Sequence, residues 1–284
     1  MKKLTVEPLV TGLNNQRLCL LGLVRSAADQ DAEAVIPSEL VDFTPVPKRG
    51  QVRHTGRLPI WDIFDREAVE DGLSDLAVSF EGTADMLTMQ ECFRRGSDAL
   101  KSDYERSSAI LRAFRPSKIV TEHANRVVAW LGDFTALQLR IERDWREYVL
   151  RKFGADGVYS DGEYLTTDPD DIFVRVTFTP DISETIWACC DEDDLVEPKD
   201  TLKRIAEKYG LRLVFKSDLP SHLAYPAHRL TRSAIDFAVA VNSPAYIGLT
   251  RSTFSEMVGI YRPGGRNFAY NIPGGDLAIP RVPT

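Results

Sequence analysis

Cysteine, histidine and methionine are scarce in this chain, with four of each among 284 residues. The cysteines Cys19, Cys92, Cys189 and Cys190 lack the paired spacing of a zinc or redox motif and do not form a disulfide framework. Cys189 and Cys190 close the apolar run TIWACC, where small buried thiols are expected. His123 falls on a helical pattern with no ligand-type partner four residues on, so a packed or exposed imidazole is expected rather than a metal ligand. Positive charge is short as well: 35 Lys and Arg face 42 Asp and Glu, a net charge of −7, and no basic patch interleaved with aromatics appears. That balance argues against a general nucleic-acid surface, which depends on clustered cations. No run of about eighteen apolar residues occurs, so no membrane span is expected. The opening MKKLTVEPLVTG lacks the apolar core of a secretory signal, and a soluble, cytoplasmic protein is expected. No GxGxxG follows a strand, which disfavours a dinucleotide oxidoreductase.

What is present is an α/β pattern. With 43 % hydrophobic residues, the chain has material for about two domains. Leu4 to Val10 reads as a first strand, followed by a turn at Gly12, a helix capped by Asn14 with Leu18, Leu21, Val24 and Ala28 on one face, and a second strand. The start of that helix points amides and partial positive charge into the turn, a ready site for a phosphate or sugar oxygen. Asp42 to Leu58, with Pro45, Pro47, Gly50 and Gly56, reads as a loop anchored by Trp61 and Phe64. A strand over Leu76 to Phe80 is followed by helical patterns over Ala84 to Leu100, Glu105 to Phe114 and Pro116 to Leu131, the last with Ile119, Val120, Val127, Val128 and Leu131 inward.

Gly132 and Asp133 break this pattern and mark the expected boundary between domains 1–132 and 133–284. Beyond it, Gly154 to Asp171 reads as a mobile insertion, and its acidic DPDD as turn chemistry. From Ile172 strands alternate with helices: IFVRVTF, ETIWACC, the helix PKDTLKRIAEKYG, LRLVF, the helix TRSAIDFAVAVN, AYIGL and the helix STFSEMVGIY. Regular alternation of this kind predicts a mostly parallel sheet with helices on both faces, so two Rossmann-like doubly wound domains are expected.

Two stretches carry chemistry in the second half. In TALQLRIERDW a strand over Thr135 to Leu139 delivers Arg140, Glu142, Arg143 and Asp144 at its carboxyl end, the place where open α/β sheets bind ligands. In YIGLTRSTFSEMV a strand, a tight turn with Gly248 and Thr250, and a helix start present Arg251, Ser252 and Thr253 together, an assembly suited to a diphosphate.

Together with GLNNQRLCLLGLVRSAADQDAEAVIPS, these pieces resemble, in order and spacing, the GDP-fucose protein O-fucosyltransferase family. That family shows a GxxNQ-type loop near its start, an HLR strand followed by an acid, and a late strand–turn–helix ending SSF or STF. The resemblance implies a GT-B-like pair of Rossmann-like domains facing a cleft, with the acceptor on the amino-terminal side and the sugar nucleotide held by the carboxyl-terminal domain. Carried over by position, Arg140 contacts the diphosphate and assists departure of GDP. Ser252, Thr253 and Phe254 bind the β-phosphate and line the nucleoside pocket, while Gly12, Asn14 and Asn15 fall in the first-loop motif. Asp144 and Trp145 match the acid and aromatic after the HLR strand. Gln138 stands where the family usually has histidine; it donates a hydrogen bond but carries no proton.

The implied reaction is inverting transfer of fucose from GDP-fucose to a glycan, protein or small-molecule hydroxyl, without cofactor or metal. Glu142 and Asp144 are rivals for the base, Glu142 preferred because Asp144 can orient Arg140. Two alternatives stay open. One is a metal-dependent glycosyltransferase using Asp191 and Asp193 with another sugar nucleotide. The other is a non-catalytic nucleotide- or glycan-binding relic of the fold.

Overall fold

The computed structural model describes residues 1–45 and 52–272. Among the described residues the chain forms two compact units, Met1–Glu122 joined by Pro226–Ile235, and His123–Tyr225 joined by the residues from Asp236 to 272. The first division falls ten residues before the Gly132 break. The return of Pro226–Ile235 to the first unit is a long-range event that a linear pattern does not record.

In the first unit the elements are β1 (Lys3–Val6), α1 (Leu13–Asp29), β2 (Glu33–Val35), β3 (Glu39–Pro45), β4 (Val52–Pro59), α2 (Ile60–Ile63), α3 (Arg66–Gly72), β5 (Val78–Ser79), β6 (Asp85–Leu87), α4 (Met89–Ser102), α5 (Tyr104–Ala113) and the start of α6 (Lys118–Leu131). A parallel sheet runs β5-β2-β1-β6, with Leu4 paired to Ala34 on one side and Asp85 on the other. Its core holds Leu4, Val6, Leu18, Leu21, Val24, Ala34 and Ile36, and Phe64 meets Phe114 edge-on at 5.5 Å.

α1 and α4 cross with almost no separation. A Cβ on Gly96 would lie 2.0 Å from the Leu18 carbonyl oxygen, and one on Gly22 would lie 1.8 Å from that of Cys92. Only glycine permits this approach. Thr88 and Glu91 start α4 with a reciprocal capping box.

Asn14 does not cap α1: the N-cap is Gly12, at an ordinary φ of −59°, and Asn14 lies inside the helix, buried. Ala28 and Ile119 face outward. The expected loop over Asp42 to Leu58 is an antiparallel pair, β3 with β4, whose prolines Pro45 and Pro59 sit at strand ends, where a missing N–H is tolerated; Pro47 and Gly50 lie outside the described residues. Trp61 packs edge-on against Phe80 at 5.3 Å, on the link between β5 and β6. That link carries the chain to the opposite edge of the sheet without a helix, and β6 occupies what reads as the first turn of a helix from Ala84.

The second unit continues with β7 (Thr135–Gln138), α7 (Arg143–Phe153), β8 (Val158–Ser160), β9 (Glu163–Leu165), α8 (Pro169–Val176), β10 (Thr185–Cys189), α9 (Lys199–Glu207), β11 (Arg212–Val214), the later part of α10 (Arg229–Asn242), β12 (Ala245–Gly248), α11 (Thr253–Tyr261) and β13 (Arg266–Ala269). Five parallel strands run β11-β10-β7-β12-β13. Relabelled by order within the unit this is 3-2-1-4-5, the Rossmann order, and the first unit follows 3-2-1-4. In each, the chain winds outward on one side of the first strand and then restarts on the other. The switch points lie between β7 and β12 and between β1 and β6.

The expected insertion over Gly154 to Asp171 contains the hairpin β8–β9, closed by Asp161 at φ 55° and Gly162 at φ 78°. Asp-Gly is the residue pair that favours such a two-residue turn. IFVRVTF, expected as a strand, instead completes α8. Asp168 accepts the Asp170 N–H at 3.0 Å and Pro169 follows at the first position, so the DPDD sequence is a helix start. Ile172, Phe173 and Val176 are fully buried, a helical rather than alternating set. All four cysteines are free and buried, and no helix among the described residues is long and apolar enough to cross a membrane.

Candidate active site

The second unit's switch point is spanned by a hydrogen-bond network. Gln138, at the end of β7, donates from Nε2 to Ser252 Oγ at 2.9 Å and accepts at Oε1 from Ser255 Oγ at 2.5 Å. Ser255 Oγ also receives the Leu249 N–H at 3.1 Å and lies 2.9 Å from the Tyr246 hydroxyl. Because the Ser255 proton goes to Gln138, Tyr246 is the donor to Ser255. Gly248 makes room for this knot: a Cβ there would sit 2.2 Å from Ser255 Oγ. Ser252 is the N-cap of α11 but makes no capping bond. Having accepted from Gln138, its hydroxyl keeps its own proton unspent.

Arg140 stands two residues beyond this knot. Its Nη1 donates to Glu142 Oε2 at 2.9 Å and its Nη2 to Asp144 Oδ2 at 2.8 Å, while the guanidinium lies over Trp145 at 5.6 Å. Burial disfavours its charge, but the two carboxylates more than offset this, and its pKa rises above the ordinary arginine value. The two acids differ. Glu142 has only 6 % of its side chain exposed, and its second oxygen accepts the Asp191 N–H at 3.0 Å. Asp144 is 58 % exposed, and only Oδ2 is held by Arg140. Asp194, close by, has its pKa raised by burial and by the Asp144 charge.

Arg251 does not extend freely into the turn as expected. It adopts φ 62° and pairs with Glu163 and, at 2.8 Å, with Asp161 of the β8–β9 hairpin, over the Phe153 ring. Thr253 and Phe254 open α11, half-buried, with Phe254 against Phe237 and Tyr246. Asp191 spends Oδ1 on the Asp193 N–H in a short 3-10 turn. Among the described residues no cluster of three His, Cys, Asp or Glu side chains is arranged to hold a metal ion. His123 contacts the Leu223 carbonyl at 3.1 Å and packs on Tyr225.

In the first unit, the loop after β1 leads to Gly12, where a Cβ would meet nothing within 4 Å. Asn14 Oδ1 accepts from Arg17 at 2.6 Å, and Asn15 Nδ2 reaches Thr11 Oγ1 at 3.2 Å while its Oδ1 is buried without a partner. Glu7 crosses from β1 to accept the Met89 N–H at 2.7 Å at the start of α4.

No family model matches this chain, and no curated protein matches it. Solved structures do. POFUT1 in complex with GDP-fucose aligns over 95 % of this chain and 99 % of its own, at 13 % identity and a TM-score of 0.61. NodZ alpha-1,6-fucosyltransferase co-crystallized with GDP aligns over 96 % and 97 %, at 12 % identity and a TM-score of 0.52. The fold is fucosyltransferase-like. In this fucosyltransferase-like fold, the residues that pattern reading missed are those that hold others in place: Tyr246, Ser255, Asp194, and a buried lysine, Lys216, just after β11. The lysine had a signal, since a cation directly after an apolar strand falls at the functional edge of a parallel sheet.

Proposed function

We propose that the protein is an inverting glycosyltransferase that moves fucose from GDP-fucose to a hydroxyl acceptor. The observation that carries this is the position of Arg140: a guanidinium gripped by two acids at the switch point of a sheet in a fucosyltransferase-like fold. The diphosphate is met by Arg140, by the Ser252 hydroxyl and by the amides opening α11, whose partial positive charge favours phosphate oxygens. The acceptor oxygen attacks the anomeric carbon as the bond from that carbon to the β-phosphate oxygen breaks, and GDP leaves with the electron pair. Arg140 faces charge that grows in this step, so its binding lowers the barrier rather than only the ground state.

The acceptor proton passes to a carboxylate. Both oxygens of Glu142 are committed, one to Arg140 and one to a backbone amide, so Glu142 orients the arginine. Asp144 is the accessible acid, and the preference between the two is therefore reversed: Asp144 is the base. These steps need no divalent cation.

A thermal-shift panel of GDP, UDP, ADP and their sugars tests the reading, because a ligand that binds the native state raises its melting temperature according to affinity. A shift with GDP and GDP-fucose is expected; shifts with UDP-sugars alone would sink the proposal. One feature favours a second reading, a binding protein without turnover: the Gln138 amide has both ends spent on Ser252 and Ser255. Tight GDP binding with no GDP release from GDP-fucose, across glycan, protein and small-molecule acceptors, is its signature.

A further inference from the structure

We infer that Lys216 is a positioning residue for Arg140, acting through the peptide plane between Cys190 and Asp191. The inference rests on the nucleotide-binding reading above. Lys216 Nζ donates to the Cys190 carbonyl at 2.5 Å and to Asp236 Oδ2 at 2.6 Å. The N–H of the same peptide plane, that of Asp191, donates to Glu142 Oε1 at 3.0 Å, and Glu142 Oε2 holds Arg140 at 2.9 Å. One rigid amide is thus clamped on its oxygen by an ammonium and on its nitrogen by the acid that aims the arginine.

The ammonium and carboxylate are nearly inaccessible, with side chains 9 % and 7 % exposed. A buried ion pair is a poor way to gain stability, since apolar side chains of the same volume usually serve as well or better. What the charge provides at this spot is direction. An ammonium on the carbonyl oxygen polarises the amide and strengthens its N–H as a donor, which holds Glu142 in place opposite Arg140. Asp236 supplies the counter-charge, and Tyr225 packs its ring 6.0 Å from the ammonium.

The test is a double-mutant cycle on GDP affinity by titration calorimetry, with GDP-fucose turnover as a second reading. Lys216→Met with Asp236→Leu removes both charges together, so neither is left buried alone. In the parent, this pair is expected to weaken GDP about tenfold. In an Arg140→Ala background it is expected to change nothing, because the group it aims is gone. If the double variant does not fold, Lys216→Arg replaces it: a guanidinium keeps the charge but displaces the carbonyl, and the same Arg140-dependent loss is expected. Equal losses with and without Arg140, or no loss, would overturn the role of Lys216 while leaving GDP binding intact. A parent protein that does not bind GDP would overturn the reading beneath it and this inference with it.

Discussion

Asp144→Asn separates binding from chemistry at the candidate site. The side chain is 58 % exposed and its bond to Arg140 is 2.8 Å, an ion pair whose carboxylate end is open to solvent. Pairs of this kind contribute only about 0.2–1 kcal/mol once solvent screening and side-chain entropy are counted. Neutralising Asp144 therefore frees Nη2 of Arg140 at little cost, and GDP should bind as tightly as before or up to about fivefold tighter. Turnover should fall by about 10²–10⁴, the usual contribution of a general base. Glu142→Gln should give the opposite split. Its carboxylate is buried between a guanidinium and a backbone amide, and an amide nitrogen turned toward either donor leaves that donor unmet. Losing a buried, charge-assisted hydrogen bond costs about 1.5–3 kcal/mol, so GDP affinity should drop roughly 10- to 100-fold. Calorimetry with GDP and initial-rate measurements of GDP release from GDP-fucose give the two quantities. Asp144→Asn that keeps kcat within about threefold of the parent, or that weakens GDP as much as it slows turnover, would refute the assignment of the base.

Two further predictions concern the scaffold. Gly96→Ala drives a Cβ into the Leu18 carbonyl, 2.0 Å away, and α1 and α4 must separate. Overpacking of about 1–3 kcal/mol outweighs the gain of up to about 1 kcal/mol in helix propensity, so the melting temperature should fall by several degrees. Gly12→Ala, with open space around its Cβ, should leave it unchanged; equal melting temperatures for the two variants would contradict the backbone crossing. Burial pushes the thiols of Cys19 and Cys92 up to about 12 from an ordinary value near 9. The native state then keeps protons that the unfolded chain releases, so stability should decline as pH rises from 9 toward 12. Urea midpoints at pH 8 and pH 10 should show that decline, reduced in a Cys19→Ala, Cys92→Ala double variant; identical pH slopes would refute it.

The fold class was legible because two periodicities survive in the sequence. The strands Thr135–Gln138, Thr185–Cys189 and Ala245–Gly248 read correctly, and they form adjacent strands of one sheet. Where reading failed, a local start signal competed with a pattern. Asp168 and Pro169 begin a helix, and IFVRV follows them despite its alternating look. Asp161-Gly162 makes a hairpin in a segment whose polar composition reads as a loop. For the site, the charged strand end was visible as a cluster, but the division of labour within it was not. Spacing puts Glu142 and Asp144 equally near Arg140; burial alone distinguishes them, and burial depends on Asp191, forty-nine residues after Glu142. The same holds for Arg251, whose partners Asp161 and Glu163 come from a hairpin nearly ninety residues earlier.

Gln138 ties these strands of argument together. A histidine at this position could both hold the turn and carry a proton, whereas glutamine can only hold. Both ends of the amide are used: the nitrogen holds Ser252, the oxygen holds Ser255, and Ser255 in turn anchors Leu249 and Tyr246. The network stiffens the turn between β12 and α11 and leaves the Ser252 proton unspent, so under the proposed function a glutamine here gives up an ionisable group but keeps a hydroxyl for the phosphate. In the proposed reaction, proton transfer then falls to a carboxylate. Of the two beside Arg140, Glu142 is locked between a guanidinium and the Asp191 amide, and a base needs a free oxygen that an acceptor hydroxyl can reach. Asp144 has one. Under the proposed function, a β7 residue that carries no proton and an exposed Asp144 are two sides of one arrangement, with binding and base catalysis on different residues of the same strand end.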